Sequence, residues 1–292
     1  MIEKYYSGVI EQIYNRIGKE TRNIVMANYS NDFSIENLEV IRRYQSNEDN
    51  VFFAYSEFSY NTLVGAYEPF LDIICNMHRR FIGGSFDDFQ KECGVYYLHR
   101  QVLNSYYETG ECFREETVLL NEVAYEQRRM TMAIADMLKK LSEVKPLMIV
   151  INRFQMASKS SIETIKYLID NPCANIGIVL GVNAIVKGTD STVEVWDRIV
   201  ESLEDRSAIY YIGSAGPLKN NVKTTNDDEL YITMNFEQSI QEASNIMEFL
   251  DFEQARRGCR IIEHKLKFED AWIDEKSLRR FYMVYARTSV LL

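Results

Sequence analysis

Side chains that commonly carry metal or nucleophilic chemistry are sparse here: five cysteines (Cys75, Cys93, Cys112, Cys173, Cys259) and three histidines (His78, His99, His264). The cysteines are odd in number and scattered, and none forms the Cys-x-x-Cys spacing of a zinc or redox pair. Reduced thiols in a cytoplasmic protein are therefore expected. His78 and His99 fall in helical stretches among arginines and aromatics, where packing or surface exposure is expected rather than ligation. No metal ion and no cofactor is expected. Acyl transfer through a Gly-x-Ser-x-Gly elbow is excluded, because that motif does not occur. The acidic pairs Asp87-Asp88 and Asp227-Asp228 lie in polar stretches and read as solvated. Phosphate chemistry needs glycines that let backbone N–H groups approach the anion. The chain has 13 glycines, and none between Gly18 and Gly65. The fragment Gly18-Lys19-Glu20-Thr21 precedes the first apolar strand instead of following it. Adjacent tyrosines (Tyr5-Tyr6, Tyr96-Tyr97, Tyr106-Tyr107, Tyr210-Tyr211) fit one ring inward and one outward, for packing or a protein interface.

Bulk properties narrow the classes further. The formal net charge of −10 disfavours direct binding to nucleic acid or an anionic membrane. No run of apolar residues is long enough to span a bilayer. The first twenty residues carry acids and no apolar core, so a signal peptide is not expected. Apolar residues at 46% and charged residues at 26% belong to a folded globular chain.

These residues must be positioned by alternating strands and helices. Helical spacing covers 3–18, 32–44, 67–83 (starting near Pro69), 95–107, 117–141, 160–169 and 192–203. Apolar strand runs cover 21–29, 50–55, 147–151, 176–180 and 208–212. Such alternation predicts a parallel sheet covered on both faces. Residues 1–218 are thus read as one α/β domain, 219–235 as a polar linker, and 236–292 as an all-helical segment with amphipathic helices at 240–252, 252–267 and 275–292. The apolar helix running to Leu292 without a cap leads to the expectation of further chain in the natural protein.

The segment Lys145–Asn171 (KPLMIVINRFQMASKSSIETIKYLIDN) resembles the Walker B region of the AAA/STAND signal-transduction ATPases, modules that precede helical repeats in large bacterial regulators. Asn175–Val182 resembles their sensor strand. Asn50–Ile74 resembles their second strand and the aromatic-Pro-Phe-Leu helix after it. The resemblance implies a three-layer P-loop-NTPase-like domain with a central parallel sheet, then a tetratricopeptide-like helical segment. It implies partners that are proteins or adjacent domains of the same chain.

The family's chemistry requires a glycine-rich loop with Lys and Ser/Thr after the first strand, and an acid pair at the tip of the Walker B strand. Here the first position falls on Asn31, Asp32 and Ser34, with no glycine or lysine. The second falls on Asn152 and Arg153, which supply no carboxylate for Mg²⁺ and place a cation where the catalytic acid belongs. Hydrolysis is not expected, and the reading is a non-catalytic regulatory or scaffolding module. Two alternatives stay open: a nucleotide-binding switch with an atypical site, drawing on Arg153 with Lys145 or Lys159, and an unrelated interaction protein.

Overall fold

The computed structural model describes residues 2–29, 38–46, 50–58, 63–114, 118, 122–183, 193–213, 236–268 and 274–291. The strands are β1 (Ile24–Tyr29), β2 (Phe52–Glu57), β3 (Leu147–Asn152), β4 (Ile176–Asn183) and β5 (Ile209–Ile212). They form one five-stranded sheet in the order β2-β3-β4-β1-β5, with every neighbouring pair parallel. β3 lies inside the sheet between β2 and β4, and β4 is the middle strand. This order differs from both the dinucleotide-binding and the flavodoxin-like doubly wound orders.

Side-chain alternation along the strands separates two apolar layers. Val25, Ala27 and Tyr29 of β1, with Met148 and Val150 of β3, face the first helices, α1 (Ile2–Arg16) and α2 (Glu39–Ser46). Met26, Ile149 and Ile151 face the opposite layer, which contains α3 (Phe70–Met77), α5 (Tyr97–Thr109), α6 (Val123–Val144), α7 (Lys159–Asp170) and α8 (Val193–Glu204). A short helix, α4 (Phe86–Glu92), precedes α5. The division follows from right-handed crossovers. The step from β1 to β2 runs one way along the sheet, and the steps β2→β3→β4→β5 run the other way. Their helices therefore cover opposite faces.

Several boundaries differ from the sequence expectation. Leu38 is not helical and α2 begins at Glu39, later than residue 32. The helix starting after Pro69 is α-helical only to Met77 and continues as a π-helix over His78–Ile82. Five residues are little more than one turn, too few for the pattern to separate the two forms. The linker 219–235 lies outside the described residues.

Gly177 fixes how closely α1 approaches the sheet. A Cβ there would stand 2.9 Å from Ile17 and 3.0 Å from Ile13. Gly177→Ala is expected to cost about 1–3 kcal/mol through overpacking, seen as a lowered urea midpoint. An unchanged midpoint would mean that α1 shifts freely.

The helical segment comprises α9 (Phe236–Glu248), α10 (Phe252–Phe268) and α11 (Glu275–Leu291). Ile240, Phe249, Cys259 and Phe281 from it join the same apolar cluster as the sheet. Polar ties reinforce the contact. Asn245 Oδ1 accepts from Cys112 N at 2.9 Å, and its Nδ2 donates to Gly110 O at 3.0 Å. Arg114 Nη2 donates to Glu248 O at 2.9 Å, and Gln254 Nε2 to Val64 O at 3.2 Å. Among the described residues, no helix is long and apolar enough to cross a membrane.

Candidate functional site

In open parallel sheets, ligands bind beyond the carboxyl ends of the strands, where the strand order reverses. That point lies here at the ends of β1 and β4, since the chain leaves β1 toward β2 and later returns past it to β5. Register places Tyr29 beside Asn183 and Glu57 beside Asn152, with β1 and β4 reaching two residues past the tips of β2 and β3.

Asn152 ends β3 and is fully buried. Tyr29 Oη donates to Asn152 Oδ1 at 2.6 Å, although β4 runs between their strands. Two strand spacings are about 9.6 Å, so only a side chain as long as tyrosine bridges them. Gly181 of β4, opposite Ala27, contributes no side chain to the strip that the phenol crosses. Tyr6 from α1 packs edge-on to Tyr29, with ring centroids 6.3 Å apart. Burial, then the neighbouring Tyr29, Tyr55 and Glu57, pushes the Tyr6 phenol well above its ordinary range. The Tyr6 phenol therefore stays neutral beside the Tyr29–Asn152 pair.

Arg153 directly follows β3 in the left-handed region, φ 54°, which turns its side chain away from the strand path. Its Nη1 lies 3.0 Å from Glu57 Oε1 at the tip of β2, with the side chains only 19% and 18% exposed. Tyr55 Oη also donates to Glu57. The cation expected at this position is thus paired within the sheet edge. A short 3-10 turn, Phe154–Met156, then leads into α7. Within it, Gln155 Oε1 accepts from Asn183 N at 3.3 Å, tying β4 to the turn. Ser158 caps α7, and the two serines of its first turn hold α3 in place. Ser160 Oγ accepts from Tyr67 N at 3.1 Å, and Ser161 Oγ donates to Glu68 O at 2.7 Å.

Of the two lysines considered with Arg153, each has neighbours of its own. Lys145 precedes β3 at the opposite, amino edge, 5.8 Å from the Phe81 ring, and Lys159 on α7 points toward Glu253 at 3.9 Å. The Gly18-Lys19 fragment also sits at the amino edge. Gly18 N donates to Ala174 O at 2.8 Å, and Lys19 Nζ to Asn15 O at 2.9 Å, an ordinary helix ending. Asn31, Asp32 and Ser34 lie outside the described residues. Tyr29, Glu57, Gln155 and Asn183 were not singled out by the sequence. Their signal was position alone, at or just beyond strand ends.

Most of the other reactive side chains are packed, while His264 on α10 is exposed. All five cysteines are free thiols, and burial pushes Cys75, Cys93 and Cys259 up to about 12. His78 Nδ1 meets Tyr107 Oη at 3.1 Å, and His99 Nε2 lies 2.9 Å from Glu126. Among the described residues, no three His, Cys, Asp or Glu side chains gather to hold a metal ion. The tyrosine pairs divide as their spacing suggests at the start of α1, where Tyr6 is buried and Tyr5 is 61% exposed. No protein-family model matches this chain, and no curated protein matches it in sequence.

Proposed function

We propose that this chain is a non-catalytic regulatory or scaffolding module, a P-loop-NTPase-like domain of the AAA/STAND kind that lacks nucleotide chemistry. It acts within a larger cytoplasmic bacterial regulator through protein–protein contacts, by coupling the α/β body to a tetratricopeptide-like helical segment. The observation that carries this reading is the Tyr29–Asn152 hydrogen bond. A Mg²⁺-binding carboxylate at the tip of β3 would need open coordination space and negative charge. Asn152 offers an amide oxygen that already accepts from a phenol at 2.6 Å. Arg153 and Glu57 neutralise each other beside it. The strand order, with β3 inside a fully parallel sheet, supports the fold part of the reading.

Calorimetric titration with ATP and ADP, with and without Mg²⁺, tests it. No binding at micromolar nucleotide and no phosphate release are expected. Micromolar affinity would replace this reading with a nucleotide-binding switch.

A further inference from the structure

Between the carboxyl end of β2, the start of α3 and the inner face of α9 lies a cleft of about 480 Å³. Its lining includes Glu57, Glu68, Asp72 and Glu242, with Tyr106 and Asn245, and no lysine or arginine among the described residues. Glu68 belongs to the sheet-bearing body and Glu242 to the helical segment. They converge on the bare face of Gly65. A Cβ on Gly65 would stand 2.7 Å from Glu242 Oε1 and 3.4 Å from Glu68 Oε2, and Gly65 N donates to Glu68 Oε2 at 2.9 Å. Two carboxylates that converge on one glycine in a partly buried cleft repel each other when both are ionised.

We propose that this cleft is a proton-operated latch: α9 docks on the segment that leads into α3 while the Glu242–Glu68 pair holds a proton, and loss of that proton loosens α9–α11 from the sheet-bearing body.

Among the described residues, the surroundings leave the proton as the available counter-charge. From α3 and the turn before it, Asp72 and Glu68 face Glu242, and Asp72 accepts from Tyr106 Oη of α5 at 3.0 Å. Glu57 at the tip of β2 is already paired with Arg153. From residues 110–114, Cys112 is a neighbour, while Arg114 donates to Glu248 O. From α11, Arg287 pairs with Glu248 at 3.4 Å instead of Glu242. Burial, then Glu68 and Asp72, pushes Glu242 from the usual 4.5 up to about 7. Burial, with Asp72 beside it, raises Glu68 as well, although the Gly65 N–H opposes the shift. A carboxyl raised in the docked state stabilises docking fully below its ordinary value. That contribution is lost as pH rises through about 7. Docking therefore weakens on the alkaline side. Asp251, before α10, is held up to about 6 by burial and adds a smaller change centred lower.

The inference rests on the reading of α9–α11 as the part that moves, and not on the state of the nucleotide site. The test is hydrogen exchange of the full chain at pH 6 and pH 8, corrected for the intrinsic rate. One proton lost across this window changes the opening constant of α9 by about tenfold. The wild type is expected to show at least that increase, and Glu242→Gln no more than about threefold. Glu68→Gln is a second arm, expected to flatten the response in the same way. A tenfold increase persisting in both variants, or no increase in the wild type, would overturn the latch while leaving the nucleotide reading intact. Micromolar ATP binding would do the reverse.

Discussion

Arg153→Glu is expected to lower the unfolding free energy by about 3–4 kcal/mol at neutral pH. Removing one partner of a buried ion pair costs about 3–5 kcal/mol because the other charge is left without compensation. Here both side chains keep roughly a fifth of their surface in water, which softens the loss, but the variant also sets a second carboxylate against Glu57. The double variant Glu57→Arg/Arg153→Glu restores the pair with reversed charge and is expected to recover most of the loss. Urea unfolding of the two variants decides the matter. A single variant within about 1 kcal/mol of wild type would show that the pair is not structural. Neither variant is expected to hydrolyse ATP, although the single variant places an acid at the position after the strand tip.

Asn152→Asp places a carboxylate where the proposed AAA/STAND likeness would have one. It is expected to destabilise the protein by about 2–3 kcal/mol at pH 8, because a fully buried charge replaces a neutral amide. One phenolic donor, Tyr29 Oη, compensates only part of the desolvation. The pH dependence follows in sign. Burial raises the new carboxyl above its unfolded value, so stability is intact below about pH 4 and is lost as pH rises through the raised value. Thermal melts of wild type and variant should therefore converge in acid and separate in base. Parallel melting curves at all pH values would show that the site tolerates charge. Tight Mg²⁺ binding by the variant would show that the sheet edge is still a working metal site.

The sequence made the strands legible because a parallel sheet covered on both faces needs unbroken apolar runs. Leu147–Asn152 is the clearest example, with all its residues buried. Asn152 and Arg153 were legible as the polar residues ending that run. Their partners were not. Tyr29 reaches Asn152 across β4, and Glu57 meets Arg153 only because β2 is the neighbour of β3. Both facts depend on strand order and register, which local periodicity does not encode. The serine pair after the strand was visible, but its tie to Tyr67 and Glu68 was not, since those residues lie more than ninety positions earlier. The acidic cleft was missed for the same reason. Glu68 and Glu242 are ordinary helix-flanking and helix acids until Gly65 lets them approach each other.

The position of β1 has a consequence for how the chain is made. Its two neighbours in the sheet are β4 and β5, both encoded far downstream. A nascent chain therefore carries Ile24–Tyr29 with neither edge paired until Ile176–Asn183 has emerged from the ribosome. Pairings of such long separation form slowly and leave apolar strand edges open to other chains. Until then α1, synthesised just before it, can shield one face of that strand, through Tyr6, Val9, Ile10 and Ile13. The amino-terminal helix is thus placed to act as a co-translational cover for the strand it precedes.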